Sequence, residues 1–149
     1  MKIAIASDHA GYKLKEEIKK YLRYKYVVKD FGTNGEDAVD YPEFGFPAAE
    51  CVANGICDRG IVICGTGIGM SIVANKVKGI RAALCYCGEI AELSRRHNNA
   101  NVLVLAGKYL DPKSAKEIID IWLTANFDKG RHQRRIDKIC KYEISHFLT

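Results

Sequence analysis

The sequence predicts a doubly wound, Rossmann-like α/β fold, in which five parallel strands form one sheet with helices on both faces. Short β-branched runs alternate with longer amphipathic segments along the chain, and helices are the usual connections between the strands of a parallel sheet. The length of 149 residues suits one apolar core, so we expect a single domain over residues 1–149.

The first half of the chain supplies three of the strands and two helices. The segment 2–7 (KIAIAS) is a buried strand, and the segment 26–32 (YVVKDFG) is the second strand. Between them, one helical face carries Leu14, Ile18, Tyr21 and Leu22. Pro42 opens a second helix that extends to the next Asn-Gly pair, with an irregular first turn expected because of Pro47. The third strand is GIVIC, residues 60–64.

The second half continues the alternation and adds one more helix. We expect, in order, a helix over 67–76, a strand over 80–85, a helix over 89–97 and a strand over 101–107. Asp111 and Pro112 then provide an N-cap and a first-turn proline. The buried stripe of this next helix consists of Ala115, Ile118, Ile119 and Trp122.

The C-terminal segment after residue 126 departs from the strand–helix pattern. Its apolar residues recur at helical spacing, and basic residues cluster at its start. These apolar residues are Ile136, Ile139, Cys140 and Phe147. Because no strand follows this last helix, we expect it to pack on a second subunit.

Charge and cysteine content narrow the functional class. The chain has 23 Lys and Arg against 18 Asp and Glu, a net charge of +5 that suits an anionic small molecule as well as nucleic acid. It has no secretory signal pattern and no apolar run of membrane-spanning length, so we expect a cytoplasmic protein with no membrane partner. The six cysteines include no CxxC pair, and Cys85-x-Cys87 has no neighbouring histidine, so we expect reduced thiols and no metal site.

Functional side chains are expected at the carboxyl ends of the strands, where doubly wound folds bind their ligands. Four strand ends would project there: residues 7–9 (SDH), residues 64–69 (CGTGIG), the segment after Cys85, and residues 106–107 (AG). We expect these four strand ends to face one crevice.

The glycine-rich loop matches neither of the common nucleotide-binding patterns. Gly65, Gly67 and Gly69 form G-x-G-x-G, and Met70 stands where a dinucleotide fingerprint needs its last glycine. The next strand ends without a clear acidic partner for a ribose, and no Gly-Lys-Ser/Thr follows the loop. What remains is a turn whose backbone amides lie at a helix N-terminus, which suits an oxyanion or a phosphate.

Each candidate side chain also has a purely structural interpretation. Cys64 precedes a helix N-terminus, which favours the thiolate, but it could equally be a packed thiol at the end of a strand. Asp8 could merely cap the first helix, and His97 could gain only from the dipole of the helix that it ends. Arg131 and Arg135 lie four residues apart and could grip one phosphate between them, although such basic clusters are mostly solvated helix faces.

Several segments together resemble the ribose-5-phosphate isomerase B family and its sugar-phosphate isomerase relatives. They are SDHAGYKLK, DYPEF, ICGTGIGMSIVANKVKGIRAAL, SRRHNNANVLVLAGKYL and GRHQRRIDKI, which cover essentially the whole chain in the same order. The resemblance implies a homodimer whose active sites lie at the subunit interface and are completed by the C-terminal segment of the neighbouring chain. It implies no metal and no organic cofactor, and it leaves open whether dimers pair into tetramers.

The resemblance also implies the catalytic roles. Cys64 matches the base that moves a proton between C1 and C2 of the open-chain sugar, whereas relatives without this cysteine carry a glutamate at the position of Met70. His97 matches the residue that opens the furanose ring. Asp8, with Thr66, matches the polar groups around the ring oxygen and the hydroxyls.

The groups implied to hold the substrate come from the loops and the C-terminal helix. The resemblance assigns the amides of Gly65, Gly67 and Gly69 and the side chain of Asn98 to binding the enediolate. It assigns His9, Arg131 and Arg135 to the phosphate, with the two arginines from the neighbouring subunit. Tyr41 is assigned to the lining of the substrate site. Lys108 stands at a position where relatives frequently carry arginine. A lysine there offers a point charge without the planar fork of a guanidinium group.

We therefore predict an aldose–ketose isomerase that interconverts D-ribose 5-phosphate and D-ribulose 5-phosphate through a cis-enediolate. The nearest alternative is an isomerase of the same family for allose or galactose 6-phosphate, since sequence does not give pocket length. A non-catalytic nucleotide- or flavin-binding module is disfavoured by the missing third glycine. A nucleic-acid binder is disfavoured by a modest net charge without an aromatic platform.

Overall fold

The computed structural model describes residues 1–147 and contains five strands and six helices in those residues. In chain order they are β1 (Lys2–Ser7), α1 (Tyr12–Leu22), β2 (Val27–Asp30), α2 (Pro42–Ala53), β3 (Arg59–Cys64), α3 (Ile68–Asn75), β4 (Ala82–Leu84), α4 (Gly88–Asn98), β5 (Val102–Ala106), α5 (Pro112–Thr124) and α6 (Arg131–His146). All the strands are parallel, in the order β2-β1-β3-β5-β4. The predicted doubly wound parallel sheet is therefore confirmed.

Each face of the sheet buries its own apolar cluster, as the period of two along a strand requires. Along β1, Ile3 and Ile5 face the cluster formed with α1, α4 and α5. Ala4 and Ala6 face the opposite cluster, formed with α2 and α3. Because both faces are covered, the central strands β1, β3 and β5 are almost continuously apolar, and this pattern makes them recognisable in the sequence. The edge strand β2 differs, since it carries Lys29 and Asp30.

Strands β2 and β4 are each three residues shorter than the sequence predicts, and β5 is shorter by one residue at each end. Strand β2 ends at Asp30 rather than at residue 32, because Gly32 adopts φ +99, a left-handed conformation that leaves the extended strand. Strand β4 contains only Ala82–Leu84 of the predicted 80–85. It is an edge strand, and on its free side the Asn75 side chain donates to the carbonyl of Ala82 and accepts from its amide, at 3.0 and 2.9 Å.

The last helix, α6, is only partly covered in a single chain. Ile136 is 6% exposed, whereas Ile139 is 50% and Phe147 37% exposed. The helical spacing predicted from the sequence is therefore present, but most of its apolar stripe faces outward. No helix among residues 1–147 combines the length and the apolar character needed to cross a membrane.

Candidate functional site

Cys64 lies at the carboxyl end of the central strand β3, directly before the glycine-rich loop. It pairs in register with Ala106 of β5, and its carbonyl accepts from the amide of Gly107 at 2.8 Å. The residue is 5% exposed, so only a small part of it meets solvent in one chain. The strand thus holds the thiol at the edge where two neighbouring strands also end.

The loop after Cys64 turns sharply into α3 and leaves backbone amides at this edge. Gly67 adopts φ +77, and the first turn of α3 closes with the amide of Ser71 donating to its carbonyl at 2.9 Å. The amide of Ile68 donates to the hydroxyl of Thr66 at 3.2 Å. The remaining amides of the first turn have no intrahelical acceptor, so they form a donor set suited to an anion.

Close contacts surround the glycines of this loop. A Cβ at Gly67 would lie 2.4 Å from Cδ1 of Leu84, and one at Gly69 would lie 2.8 Å from Cζ of Tyr41. The Tyr41 ring, at the start of α2, therefore covers the first turn of α3. Lys108 passes over Gly65, where a Cβ would lie 3.3 Å from the aliphatic part of the lysine. The structure thus brings Tyr41 and Lys108 beside the glycine loop.

Asp8 and His9 follow β1 and lie at the same edge. Asp8 is 7% exposed, and its Oδ1 accepts from the amide of Gly11 at 3.0 Å, which shapes the turn into α1. Nδ1 of His9 accepts from the amide of Val39 at 3.1 Å. An Nδ1 that accepts is unprotonated, so Nε2 is the ring nitrogen that carries hydrogen. His9 can therefore donate from Nε2 to an anionic group.

His97 and Asn98 lie at the opposite edge of the sheet. They end α4, and the chain continues through Ala100 directly into the amino end of β5. Cys64, in contrast, pairs with Ala106 at the carboxyl end of β5. The four residue steps between the two ends of β5 amount to about 13 Å. The candidate residues of one chain therefore lie at both edges of the sheet.

Arg131 and Arg135 belong to the His97 edge. Both are exposed on α6, which packs against α4. Their four-residue spacing places them on the same face of the helix, as predicted. One chain therefore carries two half-sites: a Cys64 half-site with Asp8, His9, Tyr41, Thr66, the glycine loop and Lys108, and a His97 half-site with Asn98, Arg131 and Arg135.

The His97 half-site contains two residues that sequence analysis did not single out. The imidazole rings of His97 and His132 are stacked, with centroids 4.3 Å apart and planes 8° apart. Burial lowers the pKa of His132, and the nearby His97, Arg131 and Arg135 lower it further. Asp128 adds a carboxylate.

Asp128 joins this group from the loop between α5 and α6. Arg96 donates to both of its oxygens at 3.2 Å and lowers its pKa. One ligand atom from each of His97, Asp128 and His132 lies within 4.8 Å of the others. Among residues 1–147 this is the one cluster of three His, Cys, Asp or Glu residues spaced so that it could hold a metal ion. The i, i+4 spacing of Asp128 and His132 was visible in the sequence, but their proximity to His97 was not.

Comparison with known proteins gives a consistent result over nearly the whole chain. A family model described as Ribose/Galactose Isomerase matches residues 3–139. Ribose-5-phosphate isomerase B of Escherichia coli is 46% identical over 143 residues, which cover 95% of this chain and 96% of that protein.

Two solved structures show the same fold. Ribose-5-phosphate isomerase B of Clostridium thermocellum is 53% identical, with a TM-score of 0.96 over 98% of this chain and 99% of that one. Ribose-5-phosphate isomerase B of Mycoplasma genitalium, solved with bound ribulose-5-phosphate, is 48% identical, with a TM-score of 0.92 over 96% of each chain.

Proposed function

The chain belongs to the ribose/galactose isomerase family, and on that premise we propose that it interconverts D-ribose 5-phosphate and D-ribulose 5-phosphate. The observation that carries the proposal is the position of Cys64, a thiol at a strand end directly before backbone amides at a helix N-terminus. Isomerisation of an aldose phosphate needs two such groups. One is a base beside C1 and C2, and the other is a set of hydrogen-bond donors for the oxygen that becomes negative. The relative from Mycoplasma genitalium, with its bound ribulose-5-phosphate, supports the substrate class.

Proton transfer at carbon is assigned to Cys64. As a thiolate it removes the proton from C2 of the open-chain aldose, and the carbonyl oxygen on C1 becomes the oxyanion of a cis-enediolate. The same thiol returns the proton to C1, while the hydroxyl proton moves from O2 to O1, and the ketose results. Directly after Cys64, the amides at the N-terminus of α3 carry partial positive charge.

The enediolate oxygens are assigned to the amides of Gly65, Gly67 and Gly69 and to the side chain of Asn98. Donors fixed in advance stabilise a developing charge without reorganising during the reaction. The loop is held in place by Tyr41 and Leu84, which pack where side chains at Gly69 and Gly67 would otherwise lie. Asp8 and Thr66 are assigned to the sugar hydroxyls and the ring oxygen.

Ring opening is assigned to His97, and phosphate binding to His9, Arg131 and Arg135. In one chain the two half-sites lie at opposite ends of β5, a strand about 13 Å long, so this assignment requires the His97 half-site of a second copy. We therefore propose a homodimer in which each active site takes one half-site from each chain. The outward-facing Ile139 and Phe147 support this arrangement, because they give α6 an apolar surface for a partner.

A groove beside α6 offers a place for that partner. It has a volume of about 480 Å³ and is lined by residues of the β4 edge, by Asn98 and by the apolar side of α6, including Ile136, Ile139 and Phe147. Asn98 thus adjoins the surface that the second subunit would cover. Whether two such dimers associate further does not affect the chemistry.

Replacing Cys64 by alanine tests the proposal. We expect turnover of ribose 5-phosphate to fall by at least 1000-fold, while the variant still binds substrate and still forms dimers in sedimentation. A matched Cys51→Ala variant, changed at a buried thiol near the C-terminal end of α2, should retain wild-type turnover. Full activity in the Cys64 variant would show that another group is the base.

A hexose 6-phosphate is the second candidate substrate, because the family description names galactose beside ribose. Comparing kcat/KM for ribose 5-phosphate with kcat/KM for allose and galactose 6-phosphates decides between them. We expect ribose 5-phosphate to be preferred. A clear preference for either hexose phosphate would overturn the substrate assignment and leave the isomerase assignment intact.

A further inference from the structure

We propose that His97, Asp128 and His132 form a binding site for a divalent transition-metal ion such as Zn²⁺, and that occupancy of this site inhibits the enzyme. The binding part depends only on the three side chains. The inhibitory part rests on the proposed function, in which His97 opens the sugar ring.

The donor set is the first argument. Two imidazole nitrogens and one carboxylate oxygen are the ligands that zinc accepts at sites with three protein ligands and one open position. The three ligand atoms lie within 4.8 Å of one another, although they come from the end of α4, the α5–α6 loop and the first turn of α6. Ligands of one tetrahedral zinc ion are about 3.3 Å apart, given bond lengths of about 2.0 Å. The cluster therefore has to contract by at most about 1.5 Å.

The surrounding contacts allow that contraction. His132 is 8% exposed and fixed by packing. His97 is half-buried and Asp128 exposed, so these two side chains can move towards it. Because the two rings are nearly parallel, His97 must rotate to aim a nitrogen at an ion shared with His132. Such a rotation about a terminal torsion is a small change.

The backbone and Arg96 hold Asp128 close to this position. Its amide donates to the carbonyl of Arg96 at 2.9 Å, and the Arg96 guanidinium donates to its carboxylate at 3.2 Å. A carboxylate has about four acceptor positions, so it can bind an ion and keep a hydrogen bond to arginine. Hydrogen bonds of this kind orient the ligands of metal sites.

Inhibition follows from the identity of the ligand. An imidazole nitrogen that coordinates zinc cannot take up or release a proton, so an occupied site would leave His97 unable to open the furanose ring. Arg131, adjacent to His132 and assigned to the substrate phosphate, lies on the same helix turn. The ion would therefore act inside the half-site that one chain contributes to its neighbour.

Calorimetric titration of the full-length protein with ZnCl₂, without substrate, tests the binding. It is carried out in a Cys64→Ala background so that the proposed catalytic thiol cannot ligate the ion. We expect about one zinc per chain, with affinity reduced at least tenfold by Asp128→Asn and by His132→Asn. A His146→Asn variant, changed at an exposed histidine of the same helix, should bind like the parent. No saturable binding, or equal affinity in the His132 and His146 variants, would overturn the site.

Two further measurements distinguish the proposed site from binding at cysteines and separate zinc binding from zinc inhibition. With Co²⁺ as the probe, a thiolate-to-cobalt charge-transfer band would assign the ion to cysteines and would contradict the proposal. In the enzyme with Cys64 intact, Asp128→Asn should shift the zinc inhibition curve at least tenfold upwards, and unchanged inhibition would refute the inhibitory part. Because calorimetry needs no substrate, failure of the proposed function would leave the binding result valid. Circular dichroism of each variant confirms that it is folded, and His132→Gln replaces His132→Asn if that variant is not folded.

Discussion

Substituting alanine for Gly67 tests whether the loop after Cys64 is shaped by contact with the sheet. Two costs follow from the structure. At φ +77 an L-residue is strained by about 1–2 kcal/mol. In addition, the new methyl group would lie 2.4 Å from Cδ1 of the partly buried Leu84 and 3.3 Å from the backbone oxygen of Leu105, and crowding costs about 1–3 kcal/mol. We expect a total loss of about 2–5 kcal/mol in the free energy of unfolding.

Gly55→Ala is the matched control. Gly55 also has a positive φ, +69, but a Cβ there would meet no atom within 4 Å. It should therefore cost only the backbone strain of about 1–2 kcal/mol. Urea denaturation of both variants measures the difference between their free energies of unfolding. Using one protein concentration for both keeps the contribution of subunit association equal, so it cancels in the difference. Equal losses in the two variants would show that contact with Leu84 does not shape the loop.

The remaining predictions concern an ion pair and the phosphate anchor. Lys15 is fully buried and donates to Asp30 at 2.9 and 2.8 Å, so Lys15→Met should lower the free energy of unfolding by about 3 kcal/mol; an unchanged urea midpoint would contradict this. Burial alone would raise the pKa of Asp30, but its hydrogen bonds to Lys15, Lys19 and Gly32 outweigh it and hold the pKa below the usual value. The stability that this carboxylate contributes is therefore present above about pH 4 and lost as pH falls through the lowered pKa. The difference in free energy of unfolding between wild type and Asp30→Asn should therefore shrink from pH 7 to pH 3, and a constant difference would refute the linkage. Arg135→Ala should mainly raise KM for ribose 5-phosphate, whereas Lys20→Ala, at an exposed lysine of α1, should leave it unchanged; a fall in kcat alone would argue against the anchoring role.

The fold was predictable because its signal is local and strong. Strand β5 is buried at every residue and therefore appears in the sequence as an uninterrupted apolar run. Edge strands carry a weaker signal. The run 80–85 is apolar except for Arg81, yet only Ala82–Leu84 pair with β5, since the ladder at an edge depends on one neighbour alone.

The site was predictable only in part. The carboxyl edge followed from the order of strands and loops, and Asp8 and Cys64 do lie there. The position of His97 could also have been inferred, because a helix that precedes a parallel strand ends at the amino edge of the sheet. The stacking of His97 and His132 could not, since it depends on how α6 lies across the end of α4.

The pairing of Asn75 with Ala82 has a consequence for how the sheet ends. A side-chain amide has one donor and one acceptor side, as a peptide group does, and here both sides are matched to the backbone of the outermost strand. Asn75 thus stands in for the peptide of a sixth strand. An extended segment of another molecule would have to displace it before it could add to the sheet at Ala82, so the protein protects itself against aggregation at this point with a single residue.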